Sequence, residues 1–585
     1  MKIYKKAYSF LLFFFLFLTI NCTRGVIEPR LSFGSSEARW ARKVLSRMTL
    51  EEKIGQMICL SYSGCFVNRD SDFVKDLKRL ITQQKIGGLI LFGGDVYETA
   101  YLTNTLQEAA KIPLLISSDL ERGLGCQMEG ATLFPPLMSI GATGVEESAY
   151  QMGKITAQEA RAVGINVTYA PVVDVNINPE NPIINTRSFG EDPDLVARLG
   201  AAFIGGCQEN GLMATAKHFP GHGDTNKDSH SVLPSVNCDN ERLQKVELFP
   251  FKKAIESGVQ IIMSAHIWLP AIDPTPNLPS TLSPAIITEL LRRKLGFKGI
   301  IVTDAMGMGG ISSLYIPEEA ALRAVQAGVD MILLPPEPEK VIDYLIEGVK
   351  KGKVSESRID SSVRRILEGK ARLGLHKNKL VDIEAIDKKV ATKENLNVAA
   401  EMFEDSITLV KNEKNLIPLS SEQRIAVFSL SSDPGDFFAG KVFVEEIRKR
   451  CPEGFDFFAD KFTGQEFINE AMEKICDADI IVIALFSRLR GGKGSVDLDL
   501  RHIELIKKLS ESSKPMAVIS FGSPYFLKHF PQIDSYLCAY RYASEAQEAA
   551  AEAIFGEIDI KGRLPVSIPD MYPVGHGIRL YEELK

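Results

Sequence analysis

The sequence predicts an α/β protein, a (β/α)8 TIM-type barrel followed by a smaller α/β sandwich domain. Three observations carry this. Eight apolar runs of strand length lie between residues 56 and 334, each unbroken rather than alternating, as strands covered on both faces require. Segments of helical period separate most of them, and eight strand-and-helix units in such a span match a closed barrel. Titratable residues follow five successive runs, and in a parallel barrel those positions share one rim. An open doubly wound sheet is the alternative; a count of eight favours the barrel.

A chain of 585 residues is long enough for more than one domain, each with a sizeable core. Hydrophobic residues make up 45% and charged residues 24%, values that argue against disorder. The net charge of −7 and the lack of a basic tract argue against nucleic acid as a partner.

The elements follow in order. Lys2, Lys5 and Lys6 precede an apolar stretch from Phe10 to Ile20, then Asn21 and Cys22. A basic start and a short apolar stretch read as an export signal over residues 1–22, too short for a stable span. Cleavage by an ordinary signal peptidase is one reading. The sharper one is a lipoprotein signal, with Cys22 lipidated and a soluble protein held at a membrane surface. Residues 23–35 form a tether. Leu45, Met48, Leu50, Ile54 and Met57 recur at helical spacing, so 36–58 reads as one helix, with Thr49 and Glu52 as a capping box.

The eight runs are 56–60, 87–92, 113–118, 164–173, 213–217, 259–265, 299–303 and 329–334. Helical segments include 73–84, 148–163, 194–210, 240–257 and 284–295. The barrel domain spans 36–375. A polar, lysine-rich linker with some helix covers 376–400. A second alternation over 401–585, with runs at 407–410, 425–430, 480–486, 516–521 and 536–542, predicts the smaller domain with a mostly parallel sheet. Its Arg490-Gly491-Gly492-Lys493-Gly494 loop lacks phosphate-binding spacing. Apart from Cys22, the eight cysteines form no C-x-x-C pair, and Cys59, Cys207 and Cys538 sit in apolar runs, so buried thiols are expected rather than disulfides or a zinc site.

The chemistry lies at the ends of the runs. Asp119 follows the third, Asp174 the fourth, Lys217 and His218 the fifth, His266 the sixth and Asp304 the seventh. The loop after the fifth holds three of the chain's eight histidines, at 218, 222 and 230. Pro220 and Gly221 break helix between His218 and His222, which removes a helical metal pair; with Asp224 and Asp228 nearby a zinc site stays open. Asp228 and His230 are two apart in a loop. A carboxylate against one imidazole nitrogen fixes the tautomer and leaves the other nitrogen free to move a proton near neutral pH. A surface pair without a role is the competing reading. Asp304 closes an apolar strand and can be a nucleophile, a metal ligand or a cap on the next turn. A carboxylate facing an acid across a sugar is the arrangement for retaining glycoside hydrolysis. Asp119 and Lys217 would then hold hydroxyl groups. Arg187 is a further candidate, and an ion pair with Glu191 or Asp192 is its competing use.

The string Lys217-His218-Phe219-Pro220-Gly221-His222-Gly223, ending in Asp228-Ser229-His230, resembles the signature of glycoside hydrolase family 3 in its β-N-acetylhexosaminidase branch. Asp119-Leu120-Glu121-Arg122-Gly123, Ala170-Pro171-Val172-Val173-Asp174, Arg187-Ser188-Phe189-Gly190 and Thr303-Asp304 support it, as do Ser406-Ile407-Thr408-Leu409-Val410-Lys411-Asn412-Glu413 and Gly562-Arg563-Leu564-Pro565-Val566-Ser567-Ile568-Pro569. The resemblance covers nearly the whole mature chain. It implies Asp304 as nucleophile, His230 as general acid/base paired with Asp228, and Asp119, Arg187, Lys217 and His218 as ligands of an N-acetylglucosamine. It offers no metal role for His222, which then orders the loop, and it implies no cofactor. Leu120 and Arg122 depart from the family, which often has Gln and Gly there; Gln127 stands where many relatives have a substrate-binding Arg. The expectation is an exported, lipid-anchored, monomeric exo-β-N-acetylglucosaminidase acting on muropeptides or chitooligosaccharides. A β-glucosidase or phosphorylase on the same fold, and a sugar-binding surface lipoprotein, are the alternatives.

Overall fold

The computed structural model describes residues 35–581, apart from 69, 434, 437, 489, 490 and 493–497. The expected export signal and Cys22 lie outside the described residues. Eight parallel strands build the first domain: β1 Ile58–Gly64, β2 Gly88–Gly94, β3 Leu115–Ser118, β4 Val167–Thr168, β5 Thr215–Phe219, β6 Ile261–Ser264, β7 Ile300–Thr303 and β8 Ile332–Leu333. Each falls on one of the eight apolar runs.

Pairing follows chain order, in one arc from β4 back through β1 to β8 and another from β5 to β7. Parallel bridges Val167–Met213 and Val302–Met331 join the arcs and close the ring. The fold is therefore the barrel, not the open sheet. Nearly every strand side chain is buried, because the ring covers the inner face and helices cover the outer one.

The expected single helix over 36–58 is two, Ser35–Leu45 and Leu50–Gln56, because Thr49 and Glu52 make both bonds of a capping box and start a new helix at Leu50. The apolar period continues across the break, which is why the sequence reads as one element. Helix Glu356–Arg372 packs on the first helix and closes the outer layer.

After the barrel the chain stays on its flank. Asn104 holds both the N–H and the C=O of Val381, and Glu159 accepts from the Ala391 N–H and the Asn395 amide. The second domain has a six-stranded sheet in the order β11-β10-β12-β13-β14-β9, comprising β9 Thr408–Asn412, β10 Ile425–Ser431, β11 Gly454–Asp460, β12 Ile480–Phe486, β13 Met516–Ser520 and β14 Ser535–Cys538. All pairs are parallel except β14–β9. Alternate residues of β10 enter two cores: Ala426, Phe428 and Leu430 on one face, Ile425 and Val427 on the other. Strand β11 has no counterpart among the apolar runs. It lies on the sheet edge and is only partly buried.

The domains are bonded to each other. Glu191 takes the hydroxyl and the N–H of Ser567 at 2.5 and 2.8 Å, Asn176 donates to the Tyr525 hydroxyl at 3.0 Å, and Arg563 N–H donates to Ala142 O. Thus the second domain caps the barrel next to the rim that carries the titratable residues. No helix among the described residues is long and apolar enough to cross a membrane.

Candidate active site

Strand β5 delivers two adjacent side chains to the rim. Its ladder to β6 slips between Ala216 and Phe219, so Lys217 and His218 sit in an irregularity of the strand. Successive strand residues normally point to opposite faces, and a bulge re-aims them. Both residues line one cavity of about 370 Å3. That volume lies within the range of about 300–1,000 Å3 usual for small-molecule sites. Asp119, Arg187, His230 and Asp304 line the same cavity.

One wall is an ion-pair chain. Lys217 Nζ, buried with 3% of its side chain exposed, reaches Asp119 Oδ1 at 2.8 Å and Glu121 Oε1 at 2.7 Å. Glu121 also takes Arg187 in a fork, at 2.7 and 2.9 Å. Burial alone would raise the Glu121 carboxyl; the charges of Arg187 and Lys217 outweigh it and hold it well below the usual carboxylate range. Arg187 therefore does not pair with Glu191 or Asp192, and Glu191 is committed to Ser567. Glu121 is a site residue that the sequence reading passed over, although it stood inside a quoted motif.

Behind this wall Asp174, fully buried, accepts the His218 ring Nδ1 at 2.7 Å and the N–H groups of His218 and His222. The His218 Nε2 then faces Arg187, 3.5 Å away. His222 spans the loop, its Nδ1 against Thr225 Oγ1 and its Nε2 against Ser229 Oγ, both at 2.8 Å. Burial pushes His222 down to about 4, so it is a neutral clamp. Asp224 pairs with Arg242. The residues that could have formed a zinc site thus each have another partner, and no metal-binding group of three or more His, Cys, Asp or Glu exists among the described residues.

The other wall carries the dyad. Asp228 Oδ1 accepts His230 Nδ1 at 2.7 Å and the His230 N–H at 2.9 Å. Asp228 is 2% exposed and the His230 side chain 41%, so the ring is fixed at one nitrogen and open at the other. Burial would raise Asp228, but the bonds from His230 and from the Gly492 N–H hold it low. That Gly492 bond, 2.6 Å to Oδ2, comes from the second domain. A Cβ on Gly491 would lie 3.0 Å from His230 Nε2. Glycine at 491 allows the close approach to the dyad, and Gly492 adopts φ +79°, a conformation that favours glycine; nothing in their sequence spacing pointed to that.

Asp304 follows β7. Its N–H donates to Ser264 O, and Oδ1 accepts the Ala305 N–H at 2.7 Å. Burial would raise it; the nearby His218 and His266 and the Ala305 N–H outweigh that and keep it a carboxylate at neutral pH. The turn after Asp304 also grips the dyad loop, with Gly309 N–H donating to His230 O and Gly310 N–H to Ser229 O, both at 2.9 Å. Backbone bonds between two strand-end loops therefore couple the carboxylate and the imidazole. Gln127 bridges the Gly93 N–H and Asp119 O.

The description "Glycosyl hydrolase family 3 N terminal domain" matches residues 49–368, and "Glycosyl hydrolase family 3 C-terminal domain" matches residues 407–577. A "Beta-N-acetylglucosaminidase/beta-glucosidase" of Cellulomonas fimi is 30% identical over 90% of this chain and 95% of its own length. A family 3 β-N-acetylglucosaminidase structure from Paenibacillus sp. FPU-7 superposes with TM-score 0.79 at 33% identity, over 89% of this chain and 99% of that one. A "Beta-glucoside phosphorylase BglX" structure superposes with TM-score 0.83 at 28% identity, over 92% of this chain and 97% of that one. This chain belongs to glycoside hydrolase family 3.

Proposed function

We propose that the protein is a retaining exo-β-N-acetylglucosaminidase that works through Asp304 and the His230–Asp228 dyad. The observation that carries this reading is that both groups open on one cavity, with the dyad leaving a single imidazole nitrogen free. Asp304 attacks the anomeric carbon while protonated His230 gives its Nε2 proton to the leaving oxygen. Neutral His230 then takes a proton from water, whose oxygen bonds to the anomeric carbon as the bond to Asp304 breaks. Two displacements retain the configuration. Asp119, Lys217, Arg187 and His218 hold the sugar hydroxyls, and Glu121 fixes the cations among them. The N-acetylglucosaminidase names of the Cellulomonas and Paenibacillus relatives support the choice of sugar. Muropeptide fragments or chitooligosaccharides are the substrates, and lipidation of Cys22 would keep the enzyme at a membrane surface after export.

The test is turnover of 4-nitrophenyl N-acetyl-β-glucosaminide against the matching glucoside. Asp304→Ala should abolish it, and His230→Ala should lose most with poor leaving groups. Full activity in both variants would overturn the assignment. Faster turnover of the glucoside would replace the sugar but not the mechanism.

A further inference from the structure

Both domains present the carboxyl ends of parallel strands to one cavity. The barrel brings Asp304, His230 and the residues proposed for the sugar; the second domain brings Ser487 and Arg488 after β12, Ser523 after β13 and Tyr542 after β14. In the sheet order β11-β10-β12-β13-β14, the chain leaves β10 toward one edge and β12 toward the other. The carboxyl ends of β10 and β12 therefore flank a topological switch point, the crevice in which open parallel sheets take their ligands. Asp433 follows β10 and Arg488 follows β12, one on each side of it.

Arg488 is held in place. Its guanidinium carbon lies 4.3 Å from the centre of the Tyr542 ring. Its Nη2 is 3.3 Å from Asp436 Oδ2, and its backbone N–H donates to Asp433 Oδ2 at 3.3 Å. The Tyr542 hydroxyl donates to Asp436 Oδ1 at 3.2 Å, which fixes the ring as well. Even so, 42% of the Arg488 side chain is exposed, and it lines the cavity. A guanidinium already stacked on a ring loses little freedom when it binds, and its planar fork of N–H groups suits neighbouring hydroxyl oxygens. Its position points to the leaving group. Gly491 stands three residues further along the same loop, and a Cβ there would lie 3.0 Å from His230 Nε2. The proton on that nitrogen goes to the leaving oxygen, while the nucleophile stands on the other side of the scissile bond. The body of the leaving group then rests on the second-domain wall.

We propose that Arg488, held by Tyr542, binds the hydroxyls of the leaving sugar, so that the second domain selects a pyranose leaving group over a small alcohol. The inference rests on the proposed glycosidase mechanism. The experiment compares di-N-acetylchitobiose with methyl N-acetyl-β-glucosaminide on the full chain. Both pass through the same glycosyl-enzyme and both need the His230 proton; only the first carries a leaving sugar. Wild type should favour the disaccharide in kcat/KM. Arg488→Gln and Tyr542→Leu should each lower that preference roughly tenfold or more, the value of one hydrogen bond to a charged group. Cellobiose and methyl β-glucoside are run alongside and serve as the pair if glucosides are the better substrates. An equal loss on both members of a pair overturns the subsite, because Arg488 would then act only through the loop against His230. Wild-type preference kept in Arg488→Gln overturns it too and leaves the proposed function standing. Should Tyr542→Leu fail to fold, Arg488→Gln decides the question alone. A wild-type enzyme that cleaves neither pair sinks the proposed function, and the subsite with it.

Discussion

Replacing Asp228 by Asn probes the dyad most directly. The carboxylate accepts three N–H groups: the His230 ring at 2.7 Å and backbone at 2.9 Å on Oδ1, and Gly492 at 2.6 Å on Oδ2. An amide offers only one oxygen. If its NH2 takes the Oδ2 place, it meets the Gly492 N–H, donor against donor. If it takes the Oδ1 place, it forces His230 to carry its proton on Nε2, and the ring cannot then act as a base. The charge that supports the imidazolium is lost in either case. One charge-assisted bond is worth about 1.5–3 kcal/mol, which at ~1.4 kcal/mol per decade is a rate loss of roughly 10- to 150-fold. The assay is kcat/KM across aryl N-acetyl-β-glucosaminides of falling leaving-group acidity. A 2,4-dinitrophenyl leaving group needs no proton and should lose least; a 4-methylumbelliferyl group should show the full effect. An equal loss across the series would refute the reasoning, since Asp228 would then act on the fold and not on proton transfer.

Other perturbations follow from the same geometry. Glu121→Gln leaves Arg187 without its ion-pair partner and Lys217 with Asp119 alone, so stability should fall by on the order of 3 kcal/mol and KM should rise; an unchanged melting curve with unchanged KM would count against the ion-pair chain. His222 lies at about 4 instead of 6.5, so its contribution is complete above pH 6.5 and is lost as pH falls toward 4. The gap of about 2.5 pH units at ~1.4 kcal/mol each is worth about 3 kcal/mol. His222→Gln should flatten the acid side of a stability–pH profile, and a slope equal to wild type would show that other groups set it. Gly491→Ala places a methyl group 3.0 Å from His230 Nε2 and should cost about fivefold in kcat/KM with poor leaving groups, because an off-rotamer shift of the ring costs about 1 kcal/mol; wild-type kinetics would mean that the ring stands clear of this loop.

The barrel was legible because its strands are covered on both faces, which writes each as a continuous apolar run. The edge strand β11 was not, since partial burial leaves its apolar residues mixed with Asp456 and Asp460. Rim residues were legible for a related reason: a polar group ending an apolar run stands out. Roles that arise only from pairing across the chain were invisible. Glu121 meets Arg187 66 residues on, and Asp228 meets Gly492 264 residues on. Local sequence gives Glu121 no more weight than any exposed glutamate, and Gly491-Gly492 reads as a generic turn.

The division of labour between the domains has a physical basis. The barrel alone fixes Asp304 and His230 against each other, through backbone bonds from Gly309 and Gly310 to the dyad loop. Those bonds set position but leave Asp228 Oδ2 without a donor. A buried carboxylate oxygen in that state would favour the protonated acid and weaken its hold on the imidazole. Gly492 supplies the missing donor, and only glycine at 491 lets the backbone come close enough to do so. The second domain thus tunes the acid/base through a backbone N–H. Loosening the interface at a distance, for instance by Glu191→Ala at Ser567, should slow reactions that need a proton more than those that do not. A uniform loss with every leaving group would show that the interface only holds the fold.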